Sequence, residues 1–366
     1  MIVFSHDIFS GQATGGVSRC MIELMRALGD SVDWRLWAGR YRNDLLAAAL
    51  HDPAIASHVL TARVGGGGRF AGALVNEPGF AAAVGRDRPA MVHRTYYPVL
   101  DLLPRRGVAR VETLHDMWDE RGGAGAGRLT ALKTRIKRRA LHRADAIVCV
   151  SANTRAEMLD LWPTLEARSS VVQHGVRPLS AQPEAAGRDR PYFVFVGQRG
   201  SYKNFAVAVA ALRAAGLPGH DLVAFGGGAF DADEIALIRD ACLAERVVQI
   251  GGSDDRLAGL YEGATALLYP SAYEGFGLPL LEAMIHGCPV IAAPLTSLPE
   301  VGGDAALYAD PEHPEAWAAS MAKLVDDPAA ADALRVAGYT RAAAFGWDRT
   351  AAAHAALYAS LSGVRP

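Results

Sequence analysis

Two glutamates, Glu274 and Glu282, with seven residues between them, lie in a stretch that reads ALLYP, SAYEGFG, LPLLEAMIHG, CPVIAA over 266–293. The pattern predicts a strand, a loop, a helix and a second strand. Glu274 opens the loop, Glu282 falls in the first turn of the helix, and Pro279 suits that turn because its missing N–H is an orphan position there. Gly275 and Gly277 leave the backbone, Phe276 between them, free to approach a ligand closely. Loops at the carboxyl ends of strands are where open α/β sheets bind ligands. Two carboxylates there, beside unpaired N–H groups, suit the hydroxyls of a sugar or a ribose. The same two residues would also serve as an acid–base pair, and their spacing does not fix their separation. The plainer alternative is a glutamate that complements the helix dipole and another that is solvated in its loop.

Arg199 and Lys203 lie in QRGSYKNF, after the apolar run YFVFVG and at the start of a helical run. A planar fork and a point charge at a helix N-terminus suit a diphosphate, against the alternative of a chance surface pair. Gly15 and Gly16 stand where the strand-like IVFSHD gives way to a helix over about 18–28, another place where unpaired N–H groups meet the positive dipole end. This is not a dinucleotide fingerprint, because no G-x-G-x-x-G occurs. His115 and Asp116 end the run VETLHD. A histidine there either donates to a sugar hydroxyl or a developing charge, or bonds to the neighbouring turn. Tyr96 and Tyr97, after His93, end another strand and either line an acceptor pocket or pack as rim aromatics. Asp231 and Asp233 precede a helical run, so capping accounts for them and no metal site is expected.

These residues need elements to hold them. A chain of 366 residues, half of them apolar, suggests two domains with a core each. The formal charge of −2 gives no global attraction to nucleic acid or to an anionic membrane. The four cysteines form no metal or redox spacing and fit buried thiols in a reducing cytosol. No signal peptide and no membrane-spanning run is apparent, so a soluble or peripheral, cytoplasmic protein is expected. Strand-like runs at DWRLWAG, AMVHRTYY, ARVETLHD, DAIVCVS and SSVVQHGV alternate with helical ones, which implies a parallel, doubly wound sheet. The segment from about 43 to 83, with four glycines at 65–68, is expected as helices around a mobile loop. The polar LSAQPEAAGRDRP interrupts the rhythm and marks a linker near 177–190. The rhythm then restarts, so the expected domains are 1–178 and 179–344, with a closing helix at 345–366 packing back on the first. Between Arg121 and Ala144 no acid occurs, while seven cations and an apolar stripe make a basic amphipathic helix over 128–143. It is a solvated face, a peripheral contact with the inner membrane, or a surface that attracts an acidic acceptor.

In combination these residues resemble the retaining nucleotide-sugar glycosyltransferases of family 4, over nearly the whole chain. The resemblance rests on Glu274 and Glu282 in EGFGLPLLEAM, Arg199 and Lys203 in VGQRGSYKN, Gly15–Gly16, and His115–Asp116. HRTYY and QRGSYKN look most like the bacterial mannosyltransferase branch, which acts in polysaccharide or O-antigen assembly. The resemblance implies a GT-B fold of two Rossmann-like domains facing a cleft, no metal, and no cofactor beyond the nucleotide-sugar substrate, GDP-linked rather than UDP-linked. It implies that Arg199 and Lys203 neutralise the donor diphosphate and that the Gly15–Gly16 amides approach the donor from the other domain. Glu282 would hold the ribose, and Glu274 with the amides of Gly275, Phe276 and Gly277 the sugar ring. His115 would contact the sugar near the reacting carbon. A glycan or lipid-linked glycan is the implied acceptor. The alternatives are a UDP-sugar-dependent transferase, a nucleotide-sugar 2-epimerase and a non-catalytic nucleotide-sugar-binding partner.

Overall fold

The computed structural model describes residues 1–65, 68–104, 107–122, 125 and 127–362. Two of the four glycines expected to form a mobile loop, 66 and 67, lie outside the described residues. The chain divides into two compact units, Met1–Gly175 with Trp347–Pro366, and Val176–Gly346.

The first unit is built on seven parallel strands: β1 (Ile2–Phe4), β2 (Trp34–Tyr41), β3 (Val59–Val64), β4 (Met91–Arg94), β5 (Ala109–Leu114), β6 (Ala146–Cys149) and β7 (Ser169–Val171), in the order β3-β2-β1-β4-β5-β6-β7. β3 lies inside the stretch expected to be helical, where VLTARV follows two short helices. The central strands are buried along their whole length, as a parallel sheet covered on both faces requires. The closing helix Trp347–Ser362 belongs to this unit; Ala351 and Tyr358 join the core of Phe4, Met25 and Trp34, and the Tyr358 hydroxyl lies 2.6 Å from Nδ1 of His93.

The same unit buries a set of charges. The Arg94 guanidinium meets both Glu77 oxygens at 2.7 and 2.9 Å, and Asp7 and Asp101 at 3.2 Å each. Arg110 and Arg143 close on Asp101 from the other side at 2.7 and 3.0 Å. Burial alone would raise the Glu77 carboxyl, but the hydrogen bonds from Arg94 and His6 hold it at about 2. His6, Asp7 and Glu77 bring three ligand-type atoms within 4.8 Å of one another, yet Arg94 already supplies the positive charge they require.

The second unit repeats the plan with β8 (Tyr192–Val196), β9 (Asp221–Phe225), β10 (Val247–Ile250), β11 (Ala266–Tyr269), β12 (Val290–Ala292) and β13 (Leu307–Tyr308), all parallel, in the order β10-β9-β8-β11-β12-β13. The polar segment expected as a linker is no free tether. Glu184 is bonded through its N–H to Asp255, Arg188 and Arg190 pair with Asp221, and Arg256 reaches Glu184 and the Ala185 carbonyl. Its lack of regular structure hid how many polar partners it finds on the second unit.

Candidate active site

In each sheet the strand order reverses at one place, between β1 and β4 and between β8 and β11, and the loops after those strands frame the crevice where doubly wound sheets take ligands. In the second unit the two loops are tied together. The Ala272 N–H donates to the Tyr202 carbonyl at 2.7 Å, and the Asn204 amide, on a residue at φ +53°, donates to the Pro270 carbonyl at 3.0 Å. The turn at Ser201–Lys203 therefore faces the loop carrying Glu274.

Lys203 and Glu274 meet there. Lys203 Nζ lies 2.5 Å from Glu274 Oε1 and 3.0 Å from the Tyr269 hydroxyl, which itself donates to the same carboxylate oxygen at 2.8 Å. Tyr269 was missed by the sequence reading, although it ends the strand that delivers Glu274. Burial, and then the Glu274 charge, push its phenol well above the ordinary value, so it remains a hydrogen-bond donor throughout the working range. The loop is clamped from behind: the Glu274 N–H donates to Thr296 Oγ1 at 3.0 Å, and Ser297 Oγ approaches the carbonyls of Glu274 and Phe276 at 2.8 and 2.9 Å. Gly277 caps the helix Leu278–Ile285 at φ +100°, and a Cβ there would stand 2.7 Å from Leu298. Glu282 lies in that helix one turn deeper than the sequence places it, since the helix starts at Leu278 and its first turn holds no acid, and it is buried.

Arg199 departs from expectation. Its guanidinium is not paired with Lys203 but donates to both oxygens of Glu234 at 2.9 and 3.0 Å, and to the carbonyls of Gly226, Gly228 and Ala229 at 2.7, 3.0 and 2.9 Å. It also stacks over Phe230. The reason is the loop after β9: Gly226, Gly227 and Gly228 all take positive φ and turn their carbonyls toward one point, which a planar five-donor fork fills. Glu234 is held for this by a capping box with Asp231, so Asp231 acts as a helix cap.

In the first unit Gly15 caps the helix Gly16–Leu28 without a side-chain bond, and the space beside Gly16 where a Cβ would stand is open. A Cβ at Gly15 would strike the Gln12 amide at 2.2 Å. Gln12 Oε1 is buried with no hydrogen-bond partner among the described residues, a polar group that sequence reasoning passed over in GQATGG. His115 is buried between the rings of Tyr96 and His174, with Nε2 unpartnered among the described residues. Burial holds its imidazole at about 4, so at neutral pH it is uncharged and acts as a dipole rather than a cation. Tyr97 packs in the core and accepts the His115 N–H at 3.2 Å; Tyr96 lies under the Arg69 guanidinium. The basic helix Arg128–Arg143 is less free than its composition suggests. Lys137 is buried against Glu120 and Asp116 at 2.7 and 3.3 Å, Arg139 donates to the Pro98 and Val99 carbonyls, and Arg143 to Asp101. Of the cysteines Cys20, Cys149 and Cys288 are buried, whereas Cys242, in a turn at φ +58°, is exposed and not the buried thiol expected.

Residues 14–178 match the family model described as Glycosyltransferase Family 4, and residues 176–341 the one described as Glycosyl transferases group 1. The O-antigen chain mannosyltransferase B of Escherichia coli is 44% identical over 95 residues, which are 26% of this chain and 25% of that protein. The D-inositol 3-phosphate glycosyltransferase of Thermobispora bispora is 28% identical over 94% of this chain and 89% of its own. Among solved structures, HepE of Anabaena in complex with UDP and glucose aligns at a TM-score of 0.73 and 17% identity, over 98% of this chain and 99% of its own. With two matching models that span residues 14–341 and two parallel-sheet α/β units of the GT-B kind, the chain belongs to the family 4 glycosyltransferases, glycosyl transferases group 1.

Proposed function

We propose that this glycosyltransferase moves a hexose, mannose from GDP-mannose, with retention of configuration, to a glycan or lipid-linked glycan acceptor in cell-surface polysaccharide assembly, acting from the cytoplasm. The observation that carries the reading is the Lys203–Glu274–Tyr269 cluster at the β8/β11 reversal. The mannosyl donor is supported by the likeness to the E. coli mannosyltransferase.

Cleaving a sugar–phosphate bond builds positive charge on the sugar and negative charge on the departing diphosphate. Lys203 meets the second of these, and a cation held in place before the reaction stabilises the transition state more than the ground state. Glu274 neutralises Lys203 until the donor enters, then turns its carboxylate to the sugar hydroxyls with the amides of Gly275, Phe276 and Gly277. Glu282 takes the ribose. Arg199 serves chiefly as a brace of the loop 226–229, and reaches the diphosphate only if Glu234 releases it. The Gly15–Gly16 amides suit an anion, and neutral His115 a sugar hydroxyl. A carboxylate that accepts from the Tyr269 phenol and from sugar hydroxyls is a weak nucleophile. Same-face attack, with a donor phosphate oxygen taking the acceptor proton, is therefore preferred to a covalent intermediate at Glu274. Because Lys203 answers the leaving-group charge, this chemistry requires no metal.

A thermal-shift series with GDP- and UDP-linked sugars tests the donor. Binding at 100 times the dissociation constant adds about 2.7 kcal/mol, and GDP-mannose is expected to give the largest shift. A larger shift with UDP-glucose would favour the second reading, a UDP-sugar transferase, for which the UDP complex of HepE speaks. The anomer formed, read by NMR, decides retention, and an inverted product overturns it. Conversion of the donor alone to a new nucleotide sugar would mark an epimerase.

A further inference from the structure

We infer that Thr296 is a positioning residue for sugar recognition, kept in a strained backbone conformation so that its hydroxyl can fix Glu274. Thr296 follows β12, whose Ala292 pairs with Tyr269 of β11, so it stands beside the loop that carries Glu274. Its φ is +51°. Glycine or asparagine is the ordinary occupant of that region, where the branched Cβ of a threonine crowds the backbone. Of the described residues that carry a side chain at positive φ, Thr296 alone is β-branched. Such a conformation persists only where the surrounding structure fixes it, and it clusters where the strain serves a purpose.

The purpose is legible in the contacts. Thr296 Oγ1 accepts the Glu274 N–H at 3.0 Å, while Lys203 and the Tyr269 hydroxyl hold the carboxylate at the other end of the same residue. Turning φ to its ordinary negative range would redirect the Cα–Cβ bond and carry Oγ1 away, so the strain and the hydrogen bond are retained together. Ser297 departs from its local role as well. It stands at the N-cap of the helix Leu298–Gly302, where a serine hydroxyl ordinarily accepts a backbone N–H, yet it makes no such bond. The buried hydroxyl turns back instead to the Glu274 and Phe276 carbonyls. Leu298 then fills the space beside Gly277. Three consecutive residues thus serve the four residues 274–277.

This frame is itself pinned. Arg341 donates through Nε to the Val301 carbonyl at 2.9 Å and through a second nitrogen to that of Glu300. Its guanidinium stacks over Phe345, whose ring meets the edge of Phe276. A freed Glu274 N–H would let the residue shift, and a carboxylate displaced by about 1 Å loses its alignment with sugar hydroxyls. The inference rests on the reading of Glu274 as the residue that grips the donor sugar.

The test is calorimetric titration of the full chain with GDP-mannose and GDP, and with UDP-glucose and UDP as a second pair. The ratio of nucleotide-sugar to nucleoside-diphosphate affinity isolates the sugar. Glu274→Ala should lower that ratio by about tenfold or more, and Thr296→Ala and Thr296→Gly by roughly three- to tenfold. Thr296→Ser returns the hydroxyl and should recover most of that loss. Thr296→Gly should also melt roughly 2–4 °C above Thr296→Ala, because both lack the hydroxyl and only alanine keeps the strain. In the Glu274→Ala background Thr296→Gly should lower the ratio no further. A parent ratio in Thr296→Gly beside a lowered one in Glu274→Ala overturns the proposal alone. So does an additive effect of the two changes, or a Thr296→Gly variant that melts below Thr296→Ala. A parent chain that binds neither pair, or a Glu274→Ala variant that keeps the ratio, overturns the reading of the site and the proposal with it.

Discussion

Tyr269 holds one hydroxyl between a lysine and a carboxylate, and at the scale of single residues this contact sets what Lys203 and Glu274 can do. Lys203→Ala removes the preorganised cation, and turnover should fall by about 10²–10³ in single-turnover assays. Arg199→Ala should behave differently. It frees three carbonyls and Glu234, so its first effect is a loss of stability of roughly 2–4 kcal/mol in urea titration, with weaker nucleotide binding as the loop 226–229 loosens. A normal melt with Lys203-like loss of turnover would instead restore Arg199 to the diphosphate. Tyr269→Phe keeps the ring and deletes the shared hydroxyl. It should cost about 0.5–1.5 kcal/mol of stability and lower kcat more than it raises KM for the donor. The glutamates and Lys203 were legible in the sequence because their types and loop positions carry the chemistry. Tyr269 was not, because a tyrosine at a strand end is an ordinary core residue until its hydroxyl is seen to meet two charges.

At the scale of elements, the helix Leu278–Ile285 and the loop before it depend on one glycine. Gly277→Ala adds a methyl group 2.7 Å from Leu298 at a left-handed φ. The expected loss is about 2–4 kcal/mol in chemical denaturation, together with a weakened grip on the sugar. The helix Ala232–Asp240 shows the converse. The sequence assigns capping to Asp231 and Asp233; Asp231 takes the cap, Asp233 lies inside the first turn, and the N3 partner, Glu234, also holds Arg199. Asp231→Ala should therefore cost about 1 kcal/mol and loosen Arg199 as well, which nucleotide titration of that variant would register. Most strands of both sheets were readable as apolar runs. Two edge strands escaped: VLTARV of β3 has exposed positions and lies within an Ala- and Gly-rich stretch that reads as helical, and β13 is two residues long.

At the scale of the whole molecule, the two units should answer differently to acid. Among the buried histidines of the first unit are His93, His115, His174 and His354. Burial holds His115 and His354 at about 4, and burial with the neighbouring histidines pushes His93 and His174 well below the ordinary value. An unfolded histidine titrates near 6.5, so between pH 6.5 and 4 the unfolded chain takes up protons that the folded unit refuses. Stability is fully present above about pH 6.5 and falls as the pH drops, by about 1.4 kcal/mol per pH unit for each histidine in its window. The Glu77 contribution is lost lower, between about 4.5 and 2. Calorimetry at pH 7 and pH 5 should show the first unit's transition moving down further than that of the second, whose His220 is only partly buried.

The sequence by itself determined the fold class, the inner strands of two parallel sheets, and the loops on which the chemistry-bearing residues sit. It could do so because apolar periodicity and glycine placement are local properties of the chain. Only the tertiary structure decided which charges are available. Arg199 and Lys203 are four residues apart, yet one is taken up by the carbonyls after β9 and the other by Glu274 after β11. Lys137 and Arg143, read as part of a basic face, turn inward to acids contributed by Asp116, Glu120 and Asp101. A charge is committed by the partner that reaches it across the fold, and that partner is distant in the chain.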